Sequence, residues 1–266
     1  MDIDGAVCVV TGGGNGIGAA LARRFAAEGA AGVVVADLDA DGADAVARSL
    51  PDGVSVAVAG DVTDPAYHEQ LVATAAERFG PVDLYCSNAG IGVAAGLEAS
   101  LEDWQRVWEV NTLAHVLAAR AVLPSMLERG RGWLLQTASA AGLLVNLGDA
   151  SYTATKHAAV GLAEWLAATY RHRGIGVSCL CPMGVDTALL RRAAEGVSGA
   201  VVTRAGEVLS PDDVAGHVVE ALAEERFLVL PHPEVAGFWQ GKTKDIDGWL
   251  GAMNRVQQRL EGARQP

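Results

Sequence analysis

The chain has 266 residues, half of them hydrophobic, and a formal net charge of −12. This much apolar sequence can fill a sizeable core and argues against disorder. The acidic balance disfavours a nucleic-acid-binding module, which neutralises phosphates with Lys and Arg. No apolar run reaches the roughly 20 residues that span a bilayer, and the N-terminus Met-Asp-Ile-Asp-Gly lacks the basic region of a signal peptide. We therefore expect neither a nucleic-acid partner nor a membrane partner.

Apolar runs alternate with longer amphipathic segments along almost the whole chain. The runs predict buried strands at 6–10, 32–36, 54–59, 82–86, 133–137 and 175–181. The segments between them predict helices near 17–28, 40–49, 66–79, 102–128, 151–172 and 211–224. Strands that are apolar on both faces belong to a parallel sheet covered on both sides. The alternation therefore predicts an α/β fold with a doubly wound sheet flanked by helices.

No linker or repeat interrupts this pattern, so residues 1–266 are predicted to form one domain. Two regions depart from the alternation. Residues 184–209 are predicted to be a loop with a short helix, a candidate substrate loop or lid. Residues 231–262 form a C-terminal extension with Trp239, Trp249 and a polar helix around 246–261. We expect this extension to cover the substrate mouth or to pack on a neighbouring subunit, with a packing role favoured.

The cysteines and histidines show no metal-binding pattern. Each of the four cysteines lies in an apolar run, where a free thiol behaves as a small hydrophobe, and the six histidines have no zinc-type spacing. We expect structural thiols at Cys8, Cys86, Cys179 and Cys181, no metal site, and a reducing, cytoplasmic location.

A glycine-rich turn at 11–18, Thr-Gly-Gly-Gly-Asn-Gly-Ile-Gly, joins the first predicted strand to the first helix. Glycines let the backbone approach a pyrophosphate, and the helix N-terminus offers unpaired N–H groups to its charge. Asp37 ends the second strand, where a carboxylate accepts hydrogen bonds from adenosine ribose hydroxyls and repels a 2′-phosphate. Leu38 follows it, so no arginine stands there to receive that phosphate. The sequence therefore predicts NAD rather than NADP as the cofactor.

Tyr152 and Lys156 stand four residues apart, on one face of a predicted helix. A cation beside the phenol favours phenolate and lowers the tyrosine pKa from its usual value of about 10. Such a tyrosine can donate and accept the proton of an alcohol/ketone pair. Ser139, at the end of the fifth strand, provides a second donor for a developing oxyanion.

In this order and spacing, several motifs resemble the short-chain dehydrogenase/reductase family, in its compact single-domain branch. They are Thr11-Gly-x3-Gly16-x-Gly18, Asp61, Asn88-Ala-Gly90, Asn111, Ser139 and Tyr152-x3-Lys156. The resemblance covers about residues 4–230 and implies a Rossmann-type sheet of about seven strands. It also implies a nicotinamide cofactor and a homo-oligomer, tetramer or dimer, built through the two long helices.

The same resemblance implies a role for each site residue. Tyr152 would be the general acid/base, and Lys156 would lower its pKa and hold the nicotinamide ribose. Ser139 would orient the substrate oxygen, and Asn111 would bind a water that links Lys156 to solvent. Cofactor contacts are implied for Gly12, Asn15, Gly16, Ile17, Gly18, Asp37, Leu38, Asp61, Val62, Asn88, Ala89, Gly90, Thr137, Tyr152, Lys156, Pro182, Val185 and Thr187.

The predicted substrate walls are mainly apolar. Met183 stands where the family usually has glycine after proline, so its side chain is expected beside the nicotinamide. Nothing cationic stands near Ser139, and Asn146 and Asp149 are candidates for polar selectivity. Arg191, Arg192 and Arg204 are candidates for anion binding, with a solvated face favoured. The predicted substrate residues are Ser139, Leu144, Val145, Tyr152, Met183 and Leu189, with Ile91, Val93, Leu143 and Leu190 as further wall candidates.

These observations favour an NAD-dependent oxidoreductase that interconverts a secondary alcohol and a ketone, with an apolar or ring-containing substrate. Two alternatives stay open. An epimerase or dehydratase of the same scaffold would act on nucleotide sugars, but such relatives generally carry a larger substrate domain. A non-catalytic NAD(H)-binding sensor would have no need for the complete Ser-Tyr-Lys set.

Overall fold

Seven parallel strands form the centre of the structure, a computed structural model that describes residues 1–193 and 206–262. Their order is β3-β2-β1-β4-β5-β6-β7. The order reverses between β1 and β4, which places a binding crevice at their carboxyl ends. The predicted Rossmann-type fold is confirmed. The strands are β1 (Val7–Thr11), β2 (Gly32–Asp37), β3 (Ser55–Ala59), β4 (Leu84–Ser87), β5 (Gly132–Thr137), β6 (Ile175–Leu180) and β7 (Leu228–Val229).

Two apolar cores lie on opposite faces of this sheet, because the strand residues alternate between them. One core packs α1, α2 and α8, and the other packs α3, α5 and α6. The helices are α1 (Gly16–Ala27), α2 (Ala40–Ser49), α3 (Pro65–Arg78), α4 (Leu101–Trp108), α5 (Ala114–Arg129), α6 (Ala150–Tyr170), α7 (Ala188–Ala193), α8 (Pro211–Ala223), α9 (Glu234–Lys244) and α10 (Ile246–Gly262).

The elements that the sequence analysis did not predict are short or interrupted. β7 has two residues, too few for an apolar run to show. Helix α9 follows Pro231 and Pro233 and contains Gly237 and Gly241, which obscure a helical pattern. The predicted helix 102–128 is divided by a π-helical turn, Glu109–Leu113, that carries Asn111. A single π turn of this kind often marks a functional site.

From the sequence alone, no apolar run is predicted to be long enough to span a bilayer. The structure corrects this, because the continuous helical stretch Leu101–Arg129 is long and apolar enough to cross a membrane by length and composition alone. Its apolar window is 56% buried inside the fold, and α5 packs on α3, β4 and β5. We therefore assign this stretch to the core.

All four cysteines are buried free thiols. Cys179 and Cys181 lie on one face of the sheet with their Sγ atoms 3.8 Å apart. Burial raises the pKa of the Cys8 and Cys86 thiols, which keeps them neutral.

Candidate active site

A cleft of about 1230 Å³ opens at the carboxyl ends of the strands. It runs from the glycine turn after β1, past the ends of β2 to β6, to the C-terminal helices. Seventeen of the eighteen predicted cofactor residues line it, Gly18 being the exception, namely Gly12, Asn15, Gly16, Ile17, Asp37, Leu38, Asp61, Val62, Asn88, Ala89, Gly90, Thr137, Tyr152, Lys156, Pro182, Val185 and Thr187.

The glycine turn is shaped to receive an anion. Gly12 and Gly16 have φ values of 63° and 52°, a region that favours glycine. A Cβ at Gly12 would lie 3.0 Å from the Ala89 Cα, so the turn sits directly on the segment after β4. The Asn15 side chain makes no capping hydrogen bond to α1. The first-turn N–H groups are thus left for an anionic ligand.

Gly18 does not line the cleft. A Cβ on it would collide with the Gly12 carbonyl oxygen and with Asn88 Nδ2. Its role is to let α1 approach the turn closely. Asn88 fixes the same turn, since its Nδ2 donates to Thr11 O at 3.0 Å and its N–H to Thr11 Oγ1 at 2.9 Å.

Asp37 connects β2 to the glycine turn. Its Oδ2 accepts the Gly14 N–H at 2.8 Å, and its Oδ1 accepts the Asp39 N–H at 3.0 Å. The carboxylate lines the cleft and keeps acceptor capacity for hydroxyl groups. Leu38 beside it is 67% exposed and brings no positive charge. These residues fit the ribose hydroxyl groups of a dinucleotide.

Asp61, after β3, is held by two partners. Its carboxylate accepts from Thr63 N at 2.9 Å and from Arg106 Nη2 at 2.9 Å. Burial pushes the pKa of Asp61 upward, but the Thr63 and Arg106 hydrogen bonds and the Arg106 charge outweigh burial and hold the pKa below its usual value. Arg106 also lines the cleft, and nothing in the sequence pattern singled it out.

The three predicted reacting side chains meet at the far end of the cleft. Ser139 begins a 3₁₀ turn after β5, and its Oγ accepts the Ala141 N–H at 3.1 Å. Tyr152 and Lys156 project from the first turns of α6, and the Ser139 Oγ donates to Pro182 O at 3.4 Å. Lys156 Nζ donates to Thr137 O at 2.9 Å and lies 5.6 Å from the Tyr152 ring centroid.

The pKa of Tyr152 moves opposite to the sequence-based expectation. Burial raises it to about 12, and the hydrogen bond from Ser139 offsets only part of this. Burial also lowers the pKa of Lys156 to about 8. The Lys156 ammonium is not among the groups that shift the Tyr152 pKa, so burial sets the direction.

Asn111 is buried and does not line the cleft. Its Oδ1 accepts the Ile91 N–H at 2.9 Å, and its Nδ2 donates to Ile91 O at 2.8 Å and to Thr155 Oγ1 at 3.2 Å. The amide therefore fixes the segment after β4 against α6, and the proposed water at Asn111 stays a prediction. Gly90 fits between these groups, since a Cβ on it would lie 3.3 Å from Lys156 Nζ.

Two residues that position the site were not assigned this role from the sequence. Asp149 was a candidate for polar selectivity, but its carboxylate is buried and bonded to Tyr152, Val93 and Ala94 backbone N–H groups. Asp149 lies just before a predicted helix, and an aspartate at this place is an N-cap signal that would have identified its positioning role.

His232 accepts the Met183 N–H at Nδ1 (3.1 Å) and contacts Gly184 O through Nε2 (3.0 Å). This ring fixes the loop after β6, and no sequence signal points to it.

The predicted substrate residues that line the cleft are mainly apolar. The structure places Leu144, Val145, Met183 and Leu189 there with Ser139 and Tyr152, whereas Leu143 is buried in the core. Arg192 lines the cleft, Arg191 is exposed and pairs with Asp186, and Arg204 lies outside the described residues. The C-terminal helices complete the wall with Phe238, Trp249, Met253, Val256, Arg259 and Leu260.

Comparisons with known proteins agree with this geometry. Residues 6–198 match the family model described as short chain dehydrogenase. The chain is 42% identical over 242 residues to 1-deoxy-11-beta-hydroxypentalenate dehydrogenase of Streptomyces exfoliatus, covering 88% of this chain and 86% of that one. It is 40% identical over 188 residues to meso-2,3-butanediol dehydrogenase of Serratia marcescens, covering 70% and 74%.

Solved structures show the same relationship. A short chain dehydrogenase/reductase from Burkholderia phymatum, crystallised in complex with NAD, superposes with a TM-score of 0.85 at 33% identity. The superposition covers 93% of this chain and 96% of that one. The chain therefore belongs to the short-chain dehydrogenase family of oxidoreductases.

Proposed function

We propose that the protein is an NAD-dependent dehydrogenase that oxidises a secondary alcohol, with an apolar or ring-containing skeleton, to the ketone. One observation carries this proposal. Ser139, Tyr152 and Lys156 converge at one end of a cleft whose other end presents the Asp37 carboxylate. A proton-transfer group and a ribose-binding group thus share one elongated site.

The residues define a simple proton path. A bound nicotinamide supplies the acceptor for the hydride that leaves the carbinol carbon. Tyr152, as phenolate, takes the proton of the substrate hydroxyl, while Ser139 holds the same oxygen. The ketone forms as the C–H electron pair departs and the O–H proton moves to Tyr152. Burial raises the Tyr152 pKa to about 12 in the protein alone, and the positive charge of an oxidised nicotinamide would favour the phenolate.

Asp37 and Leu38 support NAD over NADP. A 2′-phosphate would stand next to the Asp37 carboxylate, a like charge, and Leu38 offers it no counter-charge. The fit is consistent with the solved relative whose description includes NAD.

The apolar walls support the substrate class. Leu144, Val145 and Leu189 face the cleft near Ser139. The C-terminal helices add Trp249 and Met253 to the lining of the cleft. A rigid carbon skeleton buries its surface against these side chains, and each buried CH₂ contributes about 0.8 kcal/mol. The names of the two relatives above, a hydroxypentalenate dehydrogenase and a butanediol dehydrogenase, describe hydroxylated compounds.

The test is to follow reduction of NAD and, separately, of NADP by near-ultraviolet absorbance, with aliphatic, aromatic and polycyclic secondary alcohols. We expect NADH to form with the larger apolar alcohols and NADP to be a poor acceptor. Equal rates with NADP would overturn the cofactor proposal. No cofactor reduction with any alcohol, together with tight NADH binding, would favour the alternative of a non-catalytic NAD(H)-binding sensor.

A homo-oligomer belongs to the same proposal. Trp108, Leu113 and Trp165 are 43%, 41% and 56% exposed on the two long helical segments. Large apolar side chains of this kind favour an interface between copies. Sedimentation equilibrium would test it, and a monomer at micromolar concentration would refute it.

A further inference from the structure

The ammonium group of Lys242, in the last turn of α9, has an unusually complete set of partners. Its Nζ donates to the carbonyl oxygens of Leu143 at 2.7 Å and Leu144 at 3.2 Å, and it lies 3.3 Å from His157 Nε2. A lysine ammonium has three donors, so each has an acceptor here. An exposed lysine at a helix end normally leaves its donors to water.

The His157 ring is in the right state to accept this hydrogen bond. Its Nδ1 lies 2.9 Å from Thr153 O, and a carbonyl oxygen can only accept. The ring hydrogen therefore sits on Nδ1, which leaves Nε2 as an acceptor for Lys242. His157 directly follows Lys156 on α6. Lys242 thus connects the C-terminal part of the chain to the helix that carries the reacting groups.

The same ammonium faces the helix that covers the cleft. Lys242 Nζ lies 5.3 Å from the Trp249 ring centroid, within the range of a cation–π contact. Trp249 begins an apolar stripe on α10 that continues at Met253, Val256 and Leu260. Spacings of four, three and four residues put these side chains on one helix face, and all of them line the cleft. We call α9 and α10, residues 234–262, the C-terminal cap.

We propose that Lys242 is a positioning residue that holds the C-terminal cap over the substrate end of the cleft and thereby selects bulky apolar alcohols. Lys242 itself does not line the cleft. It acts through Trp249 on the cap and through Leu144, which lines the cleft from the loop after Ser139. The choice of alcohols as ligands rests on the proposed function.

The consequence is a dependence on substrate size. A polycyclic alcohol contacts both Leu144 and the α10 stripe, whereas a four-carbon alcohol is held near Ser139 and Tyr152 without reaching the cap. Loss of the Lys242 contacts should raise KM for the polycyclic alcohol about 10-fold, since hydrogen bonds from charged groups contribute on that scale. The kcat values and the KM for butan-2-ol should stay unchanged, because the reacting groups are untouched.

The test compares Lys242→Met with Lys244→Met, a matched control because Lys244 is exposed in the same last turn. Steady-state constants are measured for a polycyclic secondary alcohol and for butan-2-ol. Hydrogen exchange of the 246–262 segment is measured in parallel without substrate. We expect faster exchange and the KM increase in Lys242→Met alone. An equal loss for both alcohols, or unchanged exchange, would overturn the proposal.

A second variant guards against a general folding defect. Trp249→Ala should reproduce the KM increase for the polycyclic alcohol, and in the Lys242→Met background it should add little. If the free-energy changes calculated from the two KM increases add fully in the double variant, the two residues act separately. That result would refute the Lys242–Trp249 contact as the cause of the KM increase. If the wild type oxidises no alcohol, the proposed function fails, while the exchange measurement still decides whether Lys242 holds the cap.

Discussion

Asp149 holds Tyr152 at the start of its helix: its Oδ1 accepts the Tyr152 backbone N–H at 3.0 Å. The other carboxylate oxygen accepts the N–H groups of Val93 at 3.1 Å and Ala94 at 2.8 Å. Ala94 has a φ of 53°, a conformation that costs energy for a residue with a Cβ. One buried carboxylate therefore fixes both Tyr152, the proposed general base, and the 92–94 segment beside it.

Replacing Asp149 with alanine should lower both stability and activity. Loss of an N-cap costs about 1 to 2 kcal/mol, and the buried N–H groups of the 93–94 segment lose their acceptor. We expect a drop in the free energy of unfolding of at least this size, measured by urea denaturation, and a fall in kcat. Asp64→Ala is the control, because Asp64 caps α3 by accepting from Ala66 N at 2.9 Å and does not line the cleft. A kcat loss as large in Asp64→Ala would show that the effect on activity is not specific to Asp149.

Tyr152 and Lys156 were found from their helical spacing, and most of the other site residues that sequence reasoning found lie at strand ends. Asp37, Asn88 and Ser139 each follow an apolar run, and in a parallel sheet such positions share one edge. Periodicity and turn residues are local signals, so they place these side chains without knowledge of the tertiary contacts.

The rest of the site depends on contacts between residues far apart in sequence. Lys242 meets Leu143 across 99 positions, and His232 meets Met183 across 49. A lysine in a polar helix and a histidine between prolines show no pattern that distinguishes them from solvated residues. The expected direction of the Tyr152 pKa shift was wrong for a related reason, because burial raises this pKa and burial depends on tertiary packing.

Tyr152→Phe should remove turnover while leaving cofactor binding largely intact. The ring keeps its packing, but the group that accepts the hydroxyl proton is lost, and general acid/base groups contribute about 10²- to 10⁴-fold. We expect kcat to fall by at least this factor and the Kd for NADH, measured by fluorescence titration, to change little. Retained turnover would exclude Tyr152 as the base, and loss of NADH binding would point to a folding defect.

Asp37→Ser combined with Leu38→Arg should shift cofactor preference toward NADP. The change removes the like charge and places a guanidinium where the 2′-phosphate is expected, and such charge-assisted contacts contribute about 1.5 to 3 kcal/mol. The ratio of kcat/KM for NADP to that for NAD should rise by about 10- to 100-fold. Leu38→Arg alone should give a smaller shift, because Asp37 stays beside the phosphate. An unchanged ratio in the double variant would place the adenosine ribose elsewhere.

Lys156 should make the stability of the protein increase with pH over a defined range. Burial lowers its pKa from 10.5 to about 8, so between these values the unfolded chain binds a proton that the folded chain has released. The cost of burying the charged group is present in full below about pH 8 and is relieved as pH rises toward 10.5. At about 1.4 kcal/mol per pKa unit, this amounts to roughly 3 kcal/mol.

The measurement is the free energy of unfolding of the wild type minus that of Lys156→Met, determined by urea denaturation between pH 7 and pH 10.5. The difference cancels the titration of other groups, Tyr152 included, to the extent that they titrate alike in both proteins. It should rise across the range, whereas the corresponding difference for Lys244→Met, an exposed lysine, should stay flat. A flat difference for Lys156→Met would mean that Thr137 O stabilises the wild-type Lys156 ammonium as effectively as water does. Burial would then not shift the pKa of Lys156.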